Sequence, residues 1–174
     1  MKIILTQDMI QARLCEMASE INAFYEGKDL LAVVLMNGGM FFAADLLRLI
    51  KIPLKMDSLA LASYKNDRSS GIVEFRSKVK LDCKGADVLI LDDILDTGLT
   101  LKKATEYYKD NGANSVRTCV LLDKMIPAEK RVFPNADWHG FKIENRYVIG
   151  FGLDSNELHR NLPYITEMKN ENEK

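Results

Sequence analysis

The sequence is short of the features that mark membrane proteins, nucleic-acid binders and disulfide scaffolds. Lys and Arg number 24 against 25 Asp and Glu, a net charge of -1, and they are spread along the chain rather than clustered. No basic field is present to recruit nucleic acid or an anionic membrane. There are three cysteines, Cys15, Cys83 and Cys119, an odd number without C-x-x-C spacing, so they read as reduced thiols in a reducing compartment. The two histidines, His139 and His159, lie too far apart for a known metal-ligand spacing, and no cysteine pairs with them. No apolar run approaches the length of a membrane span. The start, MKIILTQDMI, lacks the apolar core of a signal peptide. A cytoplasmic protein without a membrane partner is expected. Ser-Gly motifs of hydrolases are also missing.

What is present centres on Val88 to Thr100, VLILDDILDTGLT. Val88-Leu89-Ile90-Leu91 is an unbroken apolar run that suits a strand buried on both faces, as in a parallel sheet. Two carboxylates follow, Asp92 and Asp93, where the strand is expected to leave the core. Asp96-Thr97-Gly98-Leu99-Thr100 comes next, and Leu101, Ala104 and Tyr108 then fall on one stripe of a helix. A strand, an acidic pair, a hydroxyl- and glycine-bearing loop and a helix start form a sugar-phosphate holder. Loop amides and the helix N-terminus offer donors to a dianion, Thr97 and Thr100 add hydroxyls, and Gly98 lets the backbone come close. The carboxylates can accept hydrogen bonds from hydroxyls just beyond the phosphate.

The rest of the chain fits one α/β domain over 1–174. Thr6 caps a helix ended by Gly27, with Asp8 in its first turn. Leu30 to Met36 is a second buried strand, stopping at Asn37-Gly38-Gly39, and Met40 to Ile50 reads as a helix. Two strand–loop–helix units imply parallel strands with crossover helices. A third strand runs from Pro53 to Leu61, and Ser63 to Gly71 is polar and loose, a mobile loop. Ile72 to Val79 alternates as a hairpin strand. Gly112 caps the central helix, and Ser115 to Leu122 is a strand delivering Asp123-Lys124. The core is expected at about 6–125. From about 126 to 168 a small hood is expected, with Asp137 to Phe141 and Tyr147 to Phe151 as its strands, a possible N-terminal contribution and Trp138 in its packing. Residues 169–174 form a frayed tail.

The central stretch resembles the diphosphoribosyl-pyrophosphate motif of the type I phosphoribosyltransferases: four apolar residues, two acidic, two apolar, Asp-(Thr/Ser)-Gly, any residue, Thr. Lys124, the run Tyr147-Val148-Ile149-Gly150-Phe151-Gly152-Leu153-Asp154, Asn156-Glu157 and Arg160 look like the hypoxanthine–guanine branch, as do Ser63-Tyr64 and the glycine pair after the first strand of the core. The resemblance implies the type I fold, a mostly parallel sheet flanked by helices, and transfer of 5-phosphoribose from its 1-pyrophosphate to N9 of hypoxanthine, with guanine as a further substrate. It also implies a homodimer or homotetramer.

Roles follow from the same resemblance. Asp96 is the general base at purine N7, although a lone Asp there could equally cap its own loop. Asp92 and Asp93 hold ribose hydroxyls, directly or through a metal. Asp96, Thr97, Gly98, Leu99 and Thr100 bind the 5'-phosphate. Lys124 donates to the base carbonyl, Tyr147 stacks on its face, and the backbones of Val148 and Asp154 read its edge. Asn37, Gly38, Gly39 and Arg160 take the pyrophosphate. Mg²⁺ rides on the pyrophosphate, near Asp154 and the Asp92–Asp93 pair. The Met36–Asn37 peptide can be cis in the family. Many members carry Lys where Asn37 stands, which leaves pyrophosphate affinity and subunit communication open.

Two other readings compete. A sugar-pyrophosphate-sensing regulator on the same fold wants a basic surface or a DNA-binding element, and this chain has neither. A Mg²⁺-dependent phosphohydrolase using the acidic strand end leaves the hood residues without a purpose.

Overall fold

The computed structural model describes residues 2–63, 73–75 and 79–168. Tyr64, most of the loop expected at 63–71, part of the hairpin strand and the C-terminal 169–174 lie outside the described residues. In order, the elements are β1 (Lys2–Leu5), α1 (Gln7–Tyr25), β2 (Leu30–Met36), α2 (Gly39–Leu47), β3 (Leu54–Ser63), β4 (Val73–Phe75), β5 (Asp87–Leu95), α3 (Leu99–Asp110), β6 (Ser115–Met125), a 3-10 turn at Ala128–Lys130, β7 (Trp138–Glu144), β8 (Val148–Ile149) and β9 (Ile165–Glu167).

The main sheet has the order β4-β3-β2-β5-β6-β7. β3, β2, β5, β6 and β7 run parallel, and β4 joins antiparallel at one edge. β2 and the Val88–Leu91 stretch of β5, at the centre of the sheet, are continuous apolar runs because both of their faces are covered. Successive side chains serve opposite faces. Leu30, Ala32, Val34, Leu89 and Leu91 pack with Ile10, Leu14 and Met17 of α1 and Phe42 and Leu46 of α2. Leu31, Val33, Val88 and Ile90 pack with Leu101, Ala104 and Tyr108 of α3 on the other face. Each fully buried aliphatic side chain stabilises the fold by about 1.5–3 kcal/mol. Truncating a central one such as Leu89, fully buried here, to Ala costs about 2–5 kcal/mol.

Local chemistry sets the helix ends. The Thr6 hydroxyl accepts from the Met9 N–H at 3.3 Å and caps α1. Gly98, in the left-handed region at φ 81°, is the residue before α3. The chain builds β3 on one side of β2, then crosses to start β5 on the other. The loops leaving β2 and β5 therefore diverge at a switch point, where open α/β sheets form ligand crevices beyond their strand ends.

Two expectations are corrected. The acidic pair does not follow the strand: β5 continues to Leu95, because Asp92, Ile94 and Leu95 still pair with Val120, Leu122 and Asp123 of β6. Trp138 to Glu144 is not a hood strand but the sixth strand of the main sheet, parallel to β6 from Cys119↔Trp138 to Met125↔Glu144. Trp138 packs edge-on to Phe24 of α1, at 5.3 Å between ring centroids. The separate small sheet is β1-β9-β8, so the N-terminal contribution is a whole strand. Among the described residues, no helix is long and apolar enough to cross a membrane.

Candidate active site

A cavity of about 370 Å³ opens at the switch point. Met36, Asn37 and Gly38 wall it from the β2 side, Asp92, Asp93 and Asp96 to Thr100 from the β5 side, and Asp154 and Arg160 from above. Residues anticipated from four separate stretches of sequence thus meet in one place. Gly39 sits just behind, and a Cβ on it would come 3.0 Å from the Leu91 carbonyl oxygen. Lys124, Tyr147 and Val148 lie outside this cavity and connect to it through neighbours.

The loop after β2 is held from two sides. The Met36–Asn37 peptide is cis. A Cβ on Gly38 would fall 2.0 Å from Oδ2 of Asp93, and one on Gly152 would fall 2.1 Å from the Gly38 carbonyl oxygen. At Gly152 the clash is with backbone and only glycine fits, whereas a side chain at Gly38 would have to push the Asp93 carboxylate aside. Gly152 also has φ 103°, in the region glycine favours. Its part in closing the site went unassigned in the sequence, where the Gly-Phe-Gly spacing was the one available signal.

Asp92 is buried and Asp93 half-buried, with the Asp93 N–H donating to Oδ1 of Asp92 at 3.0 Å. Burial, then the charge of Asp93, pushes the Asp92 carboxyl well above the ordinary carboxylate range. Burial pushes Asp93 up as well, opposed by its bond to Asp92 and by the positive charge of Arg160. Two adjacent carboxylates, one buried and one half-buried, thus face the cavity poised for partners that supply hydrogen bonds or positive charge.

Lys124 projects from the end of β6, and its ammonium meets Oδ2 of Asp96 at 3.2 Å. The lysine side chain is mostly covered while Asp96 is half exposed. Arg160 donates to the Gly152 carbonyl oxygen at 2.8 Å and pairs with Asp154 and Glu157 at 2.9 Å each. Asp154 also accepts from the Glu157 N–H at 2.8 Å. Phe151, Asn156, Glu157 and His159 all have positive φ in this loop, a concentration of unfavourable backbone that occurs where surrounding contacts impose it. The Tyr147 hydroxyl donates to the Asp154 carbonyl oxygen at 3.2 Å and leaves the ring about half exposed. Ser63 closes β3, and Tyr64 lies outside the described residues.

A third buttress was not legible in the sequence. Arg131, past the 3-10 turn, pairs with Asp123 at 2.8 Å and also donates to the Lys124 carbonyl oxygen. The Val132 N–H donates to the Thr97 carbonyl oxygen at 2.8 Å. A Cβ on Gly98 would fall 2.5 Å from Cβ of Phe133. Among the described residues, no three His, Cys, Asp or Glu side chains stand together as a metal cage.

An acidic pair on a parallel strand, a threonine-flanked loop opening a helix and a glycine loop facing them define a phosphoribosyltransferase site. The phosphoribosyl transferase domain family matches residues 2–156. A hypoxanthine-guanine phosphoribosyltransferase of Bacillus subtilis is 36% identical over 97% of this chain and 93% of its own length. A solved hypoxanthine phosphoribosyltransferase of Trypanosoma cruzi, in complex with the product IMP, superposes with a TM-score of 0.87 at 34% identity, over 97% of this chain and 94% of the other. The bifunctional TilS/HprT protein of Listeria innocua is 40% identical over 98% of this chain. The chain spans 26% of that longer protein's length. The chain belongs to the hypoxanthine–guanine phosphoribosyltransferase family.

Proposed function

We propose that the chain is a purine-salvage enzyme that moves 5-phosphoribose from 5-phosphoribosyl 1-pyrophosphate to N9 of hypoxanthine, and of guanine, releasing pyrophosphate and forming IMP or GMP. The observation that carries the reading is the Lys124–Asp96 pair, 3.2 Å apart beside the phosphate loop. A 6-oxopurine presents a carbonyl acceptor next to N7. An ammonium donates to the first, and a carboxylate takes or stabilises the proton at the second as N9 attacks. A 6-aminopurine would turn a donor toward the ammonium and leave both unsatisfied.

The remaining roles follow the geometry. Loop amides and hydroxyls of Thr97 to Thr100, at the start of α3, take the 5'-phosphate. Asp92 and Asp93 hold the ribose hydroxyls and stabilise the positive charge that develops on the sugar. Asn37 to Gly39 and Arg160 take the pyrophosphate. The Tyr147 ring stacks on the base, with Val148 and the Asp154 backbone at its edge, so β1, β8 and β9 act as a hood over the core.

Mg²⁺ fits the residues present. Asp92, Asp93 and Asp154 bring hard carboxylate oxygens to one cavity, and Mg²⁺ binds through one or two carboxylates together with substrate phosphates and waters. Asp154 and the acidic pair would hold it. Bound there, Mg²⁺ supplies charge neutralisation to the departing pyrophosphate.

The chain works in the cytoplasm as a homodimer or homotetramer. Met40 and Met56 are exposed along an apolar groove between α2 and β3, a surface that supports self-association; light scattering reads the outcome. The activity test uses purified protein, 5-phosphoribosyl 1-pyrophosphate, Mg²⁺ and each purine base. IMP and pyrophosphate from hypoxanthine, with adenine inert, is the expected result. No nucleotide from any 6-oxopurine would overturn the reading.

A further inference from the structure

We propose that Arg131 is a positioning residue that aims Lys124 at the base, acting through the carbonyl and the neighbouring carboxylate at the end of β6. This rests on the reading of Lys124 as the donor to the base carbonyl.

The Arg131 guanidinium is almost covered, as is the Asp123 carboxylate it meets at 2.8 Å. Its other terminal nitrogen reaches the carbonyl oxygen of Lys124 itself. One planar fork thus fixes two successive residues of the strand, which a lysine, a point charge on a flexible stem, cannot do. The fork acts where sheet pairing is running out: support from β5 stops at Leu95↔Asp123, and Lys124 is paired only with β7. Without the arginine, the residue that carries the ammonium loses the restraint on its carbonyl. The two residues after Arg131 grip the opposite wall. The Val132 N–H holds the Thr97 carbonyl, and Phe133 packs on Gly98. The segment is therefore anchored on the phosphate loop at one end and on the lysine's strand at the other. Arg131 transfers that anchorage to Lys124, whose ammonium reaches back across the gap to Asp96.

A residue that acts through another loses its effect when the other is gone. The test compares Arg131→Met, Lys124→Met and the double variant, with Arg131→Lys as a milder change should the methionine variant fold poorly. KM for hypoxanthine and for 5-phosphoribosyl 1-pyrophosphate are measured separately. A charge-assisted hydrogen bond thrown out of line weakens base binding about tenfold. The expected result is that rise in hypoxanthine KM in either Arg131 variant, an unchanged KM for the sugar pyrophosphate, and no further change when Arg131→Met is added to Lys124→Met. Additive effects, or equal changes in both KM values, would overturn the proposal and leave Arg131 a stabilising residue only. If Lys124→Met alone leaves hypoxanthine KM unchanged, the reading of Lys124 fails and takes the proposal with it.

Discussion

The Lys124 ammonium stands 3.2 Å from Oδ2 of Asp96, so the two groups assigned to neighbouring atoms of the base neutralise each other in the free protein. The pair joins the ends of two adjacent parallel strands, β5 and β6. Replacing Asp96 by Asn keeps the shape and removes the proton acceptor. Turnover is expected to fall about 10²–10⁴-fold, the usual span for a positioned acid–base group, with IMP affinity nearly unchanged. Stability should barely move, because a half-exposed ion pair is worth about 0–1 kcal/mol. Single-turnover kinetics beside an IMP titration check this, and wild-type rates would remove Asp96 from the chemistry.

Asp92→Asn should make the protein more stable at neutral pH while weakening sugar-pyrophosphate binding. Burial and the charge of Asp93 raise the Asp92 carboxyl in the folded state. The folded protein therefore holds this proton more tightly than the unfolded chain, and the ionised group destabilises the fold above the raised value. The difference in melting temperature between variant and wild type, measured without ligand, should shrink as pH falls through that value toward the ordinary carboxylate range. A gap constant with pH contradicts the assignment.

Asp57 works with the opposite sign. It is buried in β3 and accepts from the N–H groups of Ser58, Lys80 and Leu81 at 2.8–2.9 Å. Burial alone would raise its carboxyl, but those three donors outweigh burial and hold it below the usual value. Its stabilisation is complete above the unfolded carboxylate value, near 4, and is lost as pH falls through the depressed folded value. Asp57→Ala should cost about 2–3 kcal/mol near neutrality, in line with hydrogen bonds to a charged acceptor. Denaturant titrations at pH 7 and pH 3 should give a large and a small difference respectively.

Gly38→Ala places a methyl where Oδ2 of Asp93 now sits, at 2.0 Å. Overpacking of that kind costs about 1–3 kcal/mol, and here it displaces an assigned ribose ligand as well. Both melting temperature and sugar-pyrophosphate affinity should drop. An alanine variant with wild-type KM would show that the close approach of the loop to β5 is dispensable.

Chelating Mg²⁺ should stop transfer and leave the melting temperature where it was. No cage of three metal-binding side chains exists among the described residues, so the ion's contribution is expected to come with substrate rather than with folding. Differential scanning fluorimetry with and without chelator, followed by the transfer assay, separates the two.

The centre of the fold was legible because its physics is local. A strand covered on both faces must be apolar throughout, and Leu30 to Met36 and Val88 to Leu91 are. The phosphate loop carried its chemistry in consecutive residues. The edge strand β7 was misread because only Ile143 of its residues is buried, so no apolar run separated it from a hood strand. The end of β5 was misplaced because Asp92 and Asp93 look like surface residues, and only pairing with β6 keeps them in the sheet. Arg131 gave no signal at all. Its partners are a carboxylate and a backbone oxygen, and a backbone acceptor leaves no trace in side-chain pattern.

In the hood, β1 and β9 pair from Lys2↔Glu167, and the Thr166 hydroxyl donates to the Lys2 carbonyl oxygen across 164 residues of chain. Closing so long a span is slow, and it must wait until β9 has been made. On the proposed reading, β9 adds nothing to the cavity's own residues and acts only through its pairing with β8, which carries Val148. The support for the base's edge is thereby made after the residues proposed to hold the phosphate.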